Sequence, residues 1–349
     1  MTVQDSLLLQ NKLHPSLQPQ DVVKLCYQAA FGGEHLLKDK AIAQTYLMRE
    51  FSAVPAENAA LYEEISPEIC RVSLPSWKGH GLPPEWLFPL FVLSADRMTN
   101  NRQLFEQALS TAGKLVSAGR LSFSPAAWQQ YLTQYWTVGC HPVHHSSIYR
   151  EKEHPSYRLV QKRFVRLFPL LERMAALPKT DGTRVLAIDG RSASGKTTAA
   201  SLLEQIVSAS VIHMDDFFLP PQLRTDSRLS QPGGNVHYER FQKEVLPHLG
   251  LRKAFSYTAF SCQKMCLSGR RTVPESEWQI VEGAYSFHPV FGDYADLLAF
   301  SDIGPQEQMQ RILKRNGSKA AQIFADRWIP LEEQYFKAFS IPQKADICF

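Results

Sequence analysis

The sequence predicts a mainly α-helical domain over residues 1–177, followed by an α/β domain over 178–349 with a parallel sheet flanked by helices. Three observations predict it. First, Gly190–Thr197 reads G-x-x-x-x-G-K-T; it follows the apolar run Val185–Ile188 and opens a stretch with helical apolar spacing. Second, the short apolar runs Val185–Ile188, Val211–Met214, Gln279–Val281 and Leu297–Phe300 have strand character, with helix-period segments between the first two and after the last. Third, the polar, turn-forming stretch Leu177–Thr183 separates this alternation from a helical pattern upstream.

Taken in order, Val22, Val23, Leu25 and Cys26, then Leu36 and Leu37, then Leu104, Phe105, Ala108 and Leu109 recur at helix period. Proline and glycine punctuate Ser73–Pro84. Arg158–Phe168 has helical apolar spacing, with Pro169 placed to kink or divide the helix. Trp77, Trp86, Trp128 and Trp136 are read as core aromatics in preference to a ligand platform. Alternating strands and helices beyond Thr183 argue for a parallel sheet whose ligand site lies at the carboxyl ends of its strands.

The chain has 349 residues, enough for two cores. Its 44% hydrophobic and 21% charged content is that of an ordinary globular protein. A net charge of +4 is too mild to argue for nucleic acid. No apolar stretch approaches the roughly 20 residues of a membrane span, and residues 1–9 lack the basic start of a signal peptide. Six scattered cysteines are expected to be reduced thiols in a cytoplasmic protein; Cys262 and Cys266 have no second pair at zinc spacing.

The G-x-x-x-x-G-K-T pattern between strand and helix carries specific chemistry. Backbone N–H groups of Gly190, Arg191, Ser192, Ala193, Ser194, Gly195, Lys196, Thr197 and Thr198 are expected to cradle nucleotide phosphates, helped by the positive end of the following helix. Lys196 would reach the β- and γ-phosphates, and the Thr197 hydroxyl would ligate Mg²⁺. Two acidic motifs indicate what is done with the nucleotide. Asp215 and Asp216 close the second strand, where phosphoryl transfer to an alcohol needs a carboxylate to orient the hydroxyl and take its proton. Asp215 is assigned that role, with Asp216 in reserve; helix capping is the bland alternative. Glu282, followed by Gly283, ends a later strand and is placed to reach Mg²⁺ directly or through water. The cofactors expected are ATP and Mg²⁺, although no base-reading motif separates ATP from GTP.

With these motifs in place, residues from about Thr183 to Phe349 resemble the uridine kinase family of P-loop small-molecule kinases. The matching pieces are Gly190–Thr197, Asp215–Phe218, Ile280–Gly283, Gln310–Arg315, Pro330–Glu333 and Ala345–Ile347. The resemblance implies an α/β P-loop kinase domain, Asp215 as acceptor-activating carboxylate, and Thr197, Asp215 and Glu282 around the metal. Arg311 and Arg315 fall where the family has a helix leading into a mobile lid that neutralises the transferring phosphoryl group; Arg327 is a weaker lid candidate. On the acceptor side the resemblance points to Asp216, Phe218, His237 and Tyr257. His237 stands near the position of the family's ribose-binding acid, and Cys262 near that of its base-reading histidine. Both depart from the pattern, as does the arginine-poor stretch Asn316–Lys319.

No family is recognised in residues 1–177. Two clusters stand out there: Phe31–Leu37, containing Gly32, Gly33, Glu34 and His35, and the donor-rich His141, His144, His145, Ser146, Ser147, Tyr149 and Arg150, followed by His154, Tyr157 and Arg158. They are read as capping groups and hydrogen-bonded core histidines, as an anion or substrate site, or as a metal site.

The expected activity is transfer of the γ-phosphoryl group of ATP to a hydroxyl of a small nucleoside-like or sugar-like metabolite. An ATP-binding regulatory switch without acceptor-dependent turnover is the alternative. The expected partners are a small-molecule acceptor and, at most, further copies of this chain; neither nucleic acid nor a membrane is expected.

Overall fold

A computed structural model of the chain describes residues 2–96, 101–178, 180–261 and 263–349. Contacts divide the chain into an N-terminal unit, Met1–Phe168, and a C-terminal unit, Pro169–Phe349.

The N-terminal unit is mostly helical. Its helices are α1 (Val3–Leu13), α2 (Pro19–Phe31), α3 (Lys40–Ala53), α4 (Leu74–Gly79), α5 (Pro84–Ala95), α6 (Arg102–Ser117), α7 (Pro125–Val138), α8 (Ser147–Glu153) and α9 (Lys162–Val165). Helix α2 starts with Pro19 in its first turn, where a missing N–H costs nothing. Its Val22, Val23, Leu25, Cys26 and Ala30 are buried with Phe105, Ala108, Leu109 and Ala112 of α6. Trp77 and Trp128 belong to the buried interior, while Trp136 is 37% exposed.

A small antiparallel sheet, β1 (Tyr62–Glu64), β2 (Ile69–Ser73) and β3 (Tyr157–Gln161), completes the unit. Strand β3 corrects the helical reading of Arg158–Phe168. Leu159 and Val160 sit opposite Arg71 and Cys70 of β2, and this distant pairing outweighs local apolar spacing. Helix α9 follows, and Pro169 lies in the first turn of α10 (Phe168–Ala176), not at a kink within one long helix.

The C-terminal unit is built on a five-stranded sheet of β4 (Arg184–Gly190), β5 (Ala209–His213), β8 (Trp278–Glu282), β9 (Leu297–Ser301) and β10 (Ile347–Cys348). Its order is β10-β9-β4-β8-β5 and every pairing is parallel. Strand β4 is central and buried on both faces, which is why it reads as a continuous apolar run. Helix α11 (Lys196–Ile206) buries Ala199, Ala200, Leu202, Leu203 and Ile206. Between β5 and β8 lie α12 (Asp226–Leu229), α13 (Tyr238–Glu244) and the hairpin β6 (Phe255–Ser261)–β7 (Cys266–Val273). After β9 come α14 (Pro305–Ile323), a π-helical turn at Phe324–Trp328, α15 (Ile329–Phe339) and α16 (Ile341–Lys344). Among the described residues no helix is long and apolar enough to cross a membrane. Cys26, Cys70, Cys140, Cys266 and Cys348 are free thiols, and Cys262 lies outside the described residues.

Candidate active site

Parallel register brings the carboxyl ends of three strands together. Ile188 of β4 and His213 of β5 both sit opposite Glu282 of β8. The phosphate loop, the Asp215–Asp216 pair and Glu282 therefore emerge at one edge of the sheet. Two glycines permit the close approach. A Cβ on Gly190 (φ 142°) would fall 2.1 Å from the Ser301 carbonyl oxygen, and one on Gly283 (φ 135°) would fall 2.8 Å from Met214 Cβ. Ala193 (φ 60°) and Tyr285 (φ 74°) hold left-handed backbone here without being glycine, a strain that clusters at functional sites.

A cavity of about 590 Å³ opens at this edge. Of the residues singled out in the sequence, Ser192, Ala193, Gly195, Lys196, Thr197, Thr198, Asp215, Phe218, Glu282, Arg311 and Arg315 line it. Gly190, Arg191, Ser194, Asp216, His237 and Tyr257 are not part of its lining. Lys196 is 8% exposed, and its Nζ donates to the carbonyls of Gly190 (2.7 Å) and Arg191 (2.9 Å). Thr197 Oγ1 donates to Glu282 Oε2 (3.2 Å), while His213 Nδ1 donates to Glu282 Oε1 (2.5 Å). That bond raises the His213 pKa above its ordinary value, against the effect of burial.

Desolvation by the surrounding protein, and then the charge of Glu282, push the Asp215 carboxyl above the usual range although the residue as a whole is exposed, with Lys196 and His213 pulling the other way. A carboxyl so placed is suited to take a proton. Its neighbour Asp216 is otherwise engaged. Asp216 Oδ2 accepts from the buried Tyr257 hydroxyl (2.9 Å) and pairs with Arg271 Nε (2.5 Å). His237 Nδ1 lies 3.2 Å from Glu239. Arg311 Nη1 donates to the loop carbonyls of Ala193 (3.2 Å) and Ser194 (3.3 Å). Arg315 Nε donates to Asn316 (2.7 Å), and Gly317 breaks the regular α14 backbone with φ 79°. The Arg327 guanidinium lies over the Trp328 ring.

Other groups that shape the cavity are assigned no site role from the sequence. From α15, Glu332 accepts from the Ser192 N–H (3.0 Å) and the Ser192 hydroxyl, and Glu333 pairs with Arg191. Glu332 is 5% exposed; burial pushes its pKa up and the charge of Asp215 adds to this, opposed by Lys196 and the Ser192 bonds. Asp189 fixes the loop from below. Its carboxylate accepts from Gly190 N–H (2.7 Å), Tyr285 N–H (3.1 Å), Phe287 N–H (3.0 Å) and the Tyr335 hydroxyl (2.8 Å). Full burial raises its pKa to about 6. An acid closing an apolar strand is a legible signal for Asp189; Glu332 reaches the loop only through the tertiary fold.

In the N-terminal unit, the histidine-rich segment is tied into the interior. His145 Nδ1 donates to Asp21 Oδ1 (2.8 Å), and its Nε2 accepts from the Tyr157 hydroxyl (2.6 Å). The Ser146 N–H and hydroxyl also donate to Asp21 (2.9 and 2.7 Å). Buried Arg71 donates to Gln28 (2.8 and 3.1 Å), Gln10 (2.9 Å) and Glu63 (3.2 Å). Burial lowers the pKa values of His145 and His35 to about 4. His154 caps α8 with a left-handed backbone, and Arg158 pairs with Glu50 at 2.8 Å. Among the described residues, no group of three or more His, Cys, Asp or Glu side chains is placed to hold a metal ion.

No protein-family model and no curated protein matches the chain. Solved structures are similar over about half of it, these two among them. One is a protein proposed to be a uridine kinase, from Bacillus stearothermophilus, with 23% identity, 54% of this chain and 99% of that chain covered, and a TM-score of 0.42. The other, proposed to be a fructose transport system kinase, is from Silicibacter sp. TM1040, with 20% identity, 53% and 97% coverage, and a TM-score of 0.42. The likeness is one of fold.

Proposed function

We propose that the C-terminal unit is an ATP-dependent phosphotransferase acting on a hydroxyl of a small nucleoside-like or sugar-like metabolite. One observation carries this reading: Lys196, Thr197, Asp215, Glu282, Arg311 and Arg315 line a single cavity at the carboxyl edge of the sheet. The acceptor oxygen forms its bond to the γ-phosphorus while the bond from that phosphorus to the leaving ADP oxygen breaks, and the hydroxyl proton passes to Asp215. Lys196 and the two arginines sit where they would offset charge on the transferring group. The donor set around Glu282 is made of oxygens, from Thr197, Asp215 and Glu282 itself, and so suits Mg²⁺. When bound there, Mg²⁺ would neutralise charge on the β- and γ-oxygens.

The alternative, a nucleotide-operated switch, has no need of a cavity-lining carboxyl with a raised pKa beside the nucleotide loop. The deciding assay measures ADP release by the full chain with Mg²⁺–ATP, alone and with nucleosides, sugars or vitamin precursors. An acceptor should stimulate release, and Asp215→Asn should remove about 10²–10⁴-fold of that stimulated rate while ATP still binds. Full acceptor-dependent release by Asp215→Asn would overturn the assignment.

A further inference from the structure

The acceptor end of the cavity contains one group that the protein leaves unmet. Asn235 is 7% exposed and lines the cavity, and its amide nitrogen makes no hydrogen bond of proper geometry. The Tyr285 hydroxyl interacts with the side chain of Asn235 but does not complete such a bond. A buried amide donor without an acceptor is uncommon, and each instance calls for a reason.

The backbone keeps Asn235 where it is. Leu219 N–H donates to its carbonyl (3.0 Å), and the next residue, Val236, forms an antiparallel bridge with Phe218. Asn235 is thereby anchored beside the segment that carries Asp215 and Phe218. The charges of Glu332 and Asp215 and the side chain of Asn235 all bear on the Tyr285 hydroxyl, so these groups share one locality. The ring of Phe218 lies 6.4 Å from that of Trp328, and both line the same cavity. The locality thus offers an unmet amide donor, two carboxylates and an aromatic wall.

We infer that Asn235 is a specificity-determining residue for the acceptor. Its amide donates to an acceptor oxygen next to the hydroxyl that Asp215 deprotonates, while the acceptor's ring lies against Phe218 and Trp328. The chemistry selected is a small ring bearing neighbouring hydroxyls, whether a free sugar or the sugar of a nucleoside. This rests on the phosphotransfer reading above and adds to it the residue that reads the acceptor.

The test uses the full chain and two readouts. The first needs no substrate. Replacing an unmet buried amide with an apolar side chain of similar size removes a penalty, so Asn235→Leu should raise the unfolding midpoint by about 2 °C or more. A lowered or unchanged midpoint shows that the amide is satisfied within the fold and overturns the inference. Asn235→Ser repeats the test with a smaller side chain if the leucine variant does not fold; its midpoint should not fall below that of the parent.

The second readout is acceptor-stimulated ADP release with D-ribose and D-fructose in one arm and uridine and adenosine in the other, each beside a deoxy analogue. Asn235→Leu should raise the acceptor KM about tenfold or more, leave the KM for ATP unchanged, and narrow the preference for the hydroxylated member of each pair. The responsive arm distinguishes sugar from nucleoside. An unchanged acceptor KM overturns the inference while the kinase reading stands. If the parent protein turns over no hydroxylated probe, the phosphotransfer reading fails and the inference fails with it, whatever the midpoint.

Discussion

The two units each bury a dense set of polar and charged side chains, and they use them in opposite ways. In the N-terminal unit, Asp21, His145, Ser146, Tyr157, Gln28, Arg71, Gln10 and Glu63 bond to one another in a closed network. In the C-terminal unit the acids and cations surround a cavity. Among the described residues, the buried side-chain atoms without a partner, on Ser194, Asn235, Arg240, Gln279 and Ser286, all fall in that unit. A crowd of histidines, acids and arginines does not by itself mark a site. An unmet group on the wall of a void does, as Asn235 is here, because it has been desolvated without an internal partner.

The largest expected effect tests the closed network. Arg71→Ala leaves Glu63 and two glutamines facing an emptied space, and breaking a buried pair from one side costs about 3–5 kcal/mol. Chemical unfolding should report a loss of that size, and a loss below about 1 kcal/mol would remove the basis for calling the network closed. The open set should respond in activity more than in stability. On the phosphotransfer reading, Lys196→Ala lowers turnover about 10²–10³-fold, while loss of its bonds to the Gly190 and Arg191 carbonyls costs about 1–3 kcal/mol of stability at most. A large stability loss without a rate effect would make Lys196 a structural residue.

The smallest effect is a difference in the sign of pH dependence. His145, held neutral by burial with a pKa of about 4 against 6.5, gives stability that falls as pH drops from 6.5 towards 4. His35 acts in the same direction, and His14, whose pKa is raised by Glu63, acts against them. Asp189 has the reverse sign. Its pKa of about 6 against 3.8 makes the C-terminal unit gain stability as pH falls from 6 towards 3.8. Unfolding free energies measured from pH 7 to 4 should show a flatter acid-side loss for His145→Asn and a steeper one for Asp189→Asn. Parallel profiles for the two variants would break the contrast.

The same contrast explains what the sequence makes legible. The apolar runs within β4, β8 and β9 were readable because strands covered on both faces must be apolar along their length. The phosphate loop and its acids were readable because their spacing is local. Strand β3 was not: most of it falls within Arg158–Phe168, whose apolar spacing is helical, and it becomes a strand only by pairing with Ile69–Ser73. Asn235 and Glu332 were not legible as site residues, although His237 and the Pro330–Glu333 piece lie beside or around them, because their own places in the site depend on the tertiary fold. Their roles come from distant partners, Leu219 and Phe218 for one loop and Ser192 for the other helix.

The grip of α15 on the phosphate loop also dictates when the loop can be finished. Ser192 is bonded by a residue 140 positions later in the chain, and Asp189 by one 146 positions later. At a synthesis rate of about 5–20 residues per second, β4 and its loop leave the ribosome on the order of ten seconds before Glu332 and Tyr335 do. During that interval the Asp189 carboxylate lacks its Tyr335 partner and Ser192 has no carboxylate to bind. Contacts so distant in sequence also form slowly once the chain is free. The Gly190–Thr197 loop, although it follows the first strand of the sheet, is among the last parts of the unit to acquire its final bonds.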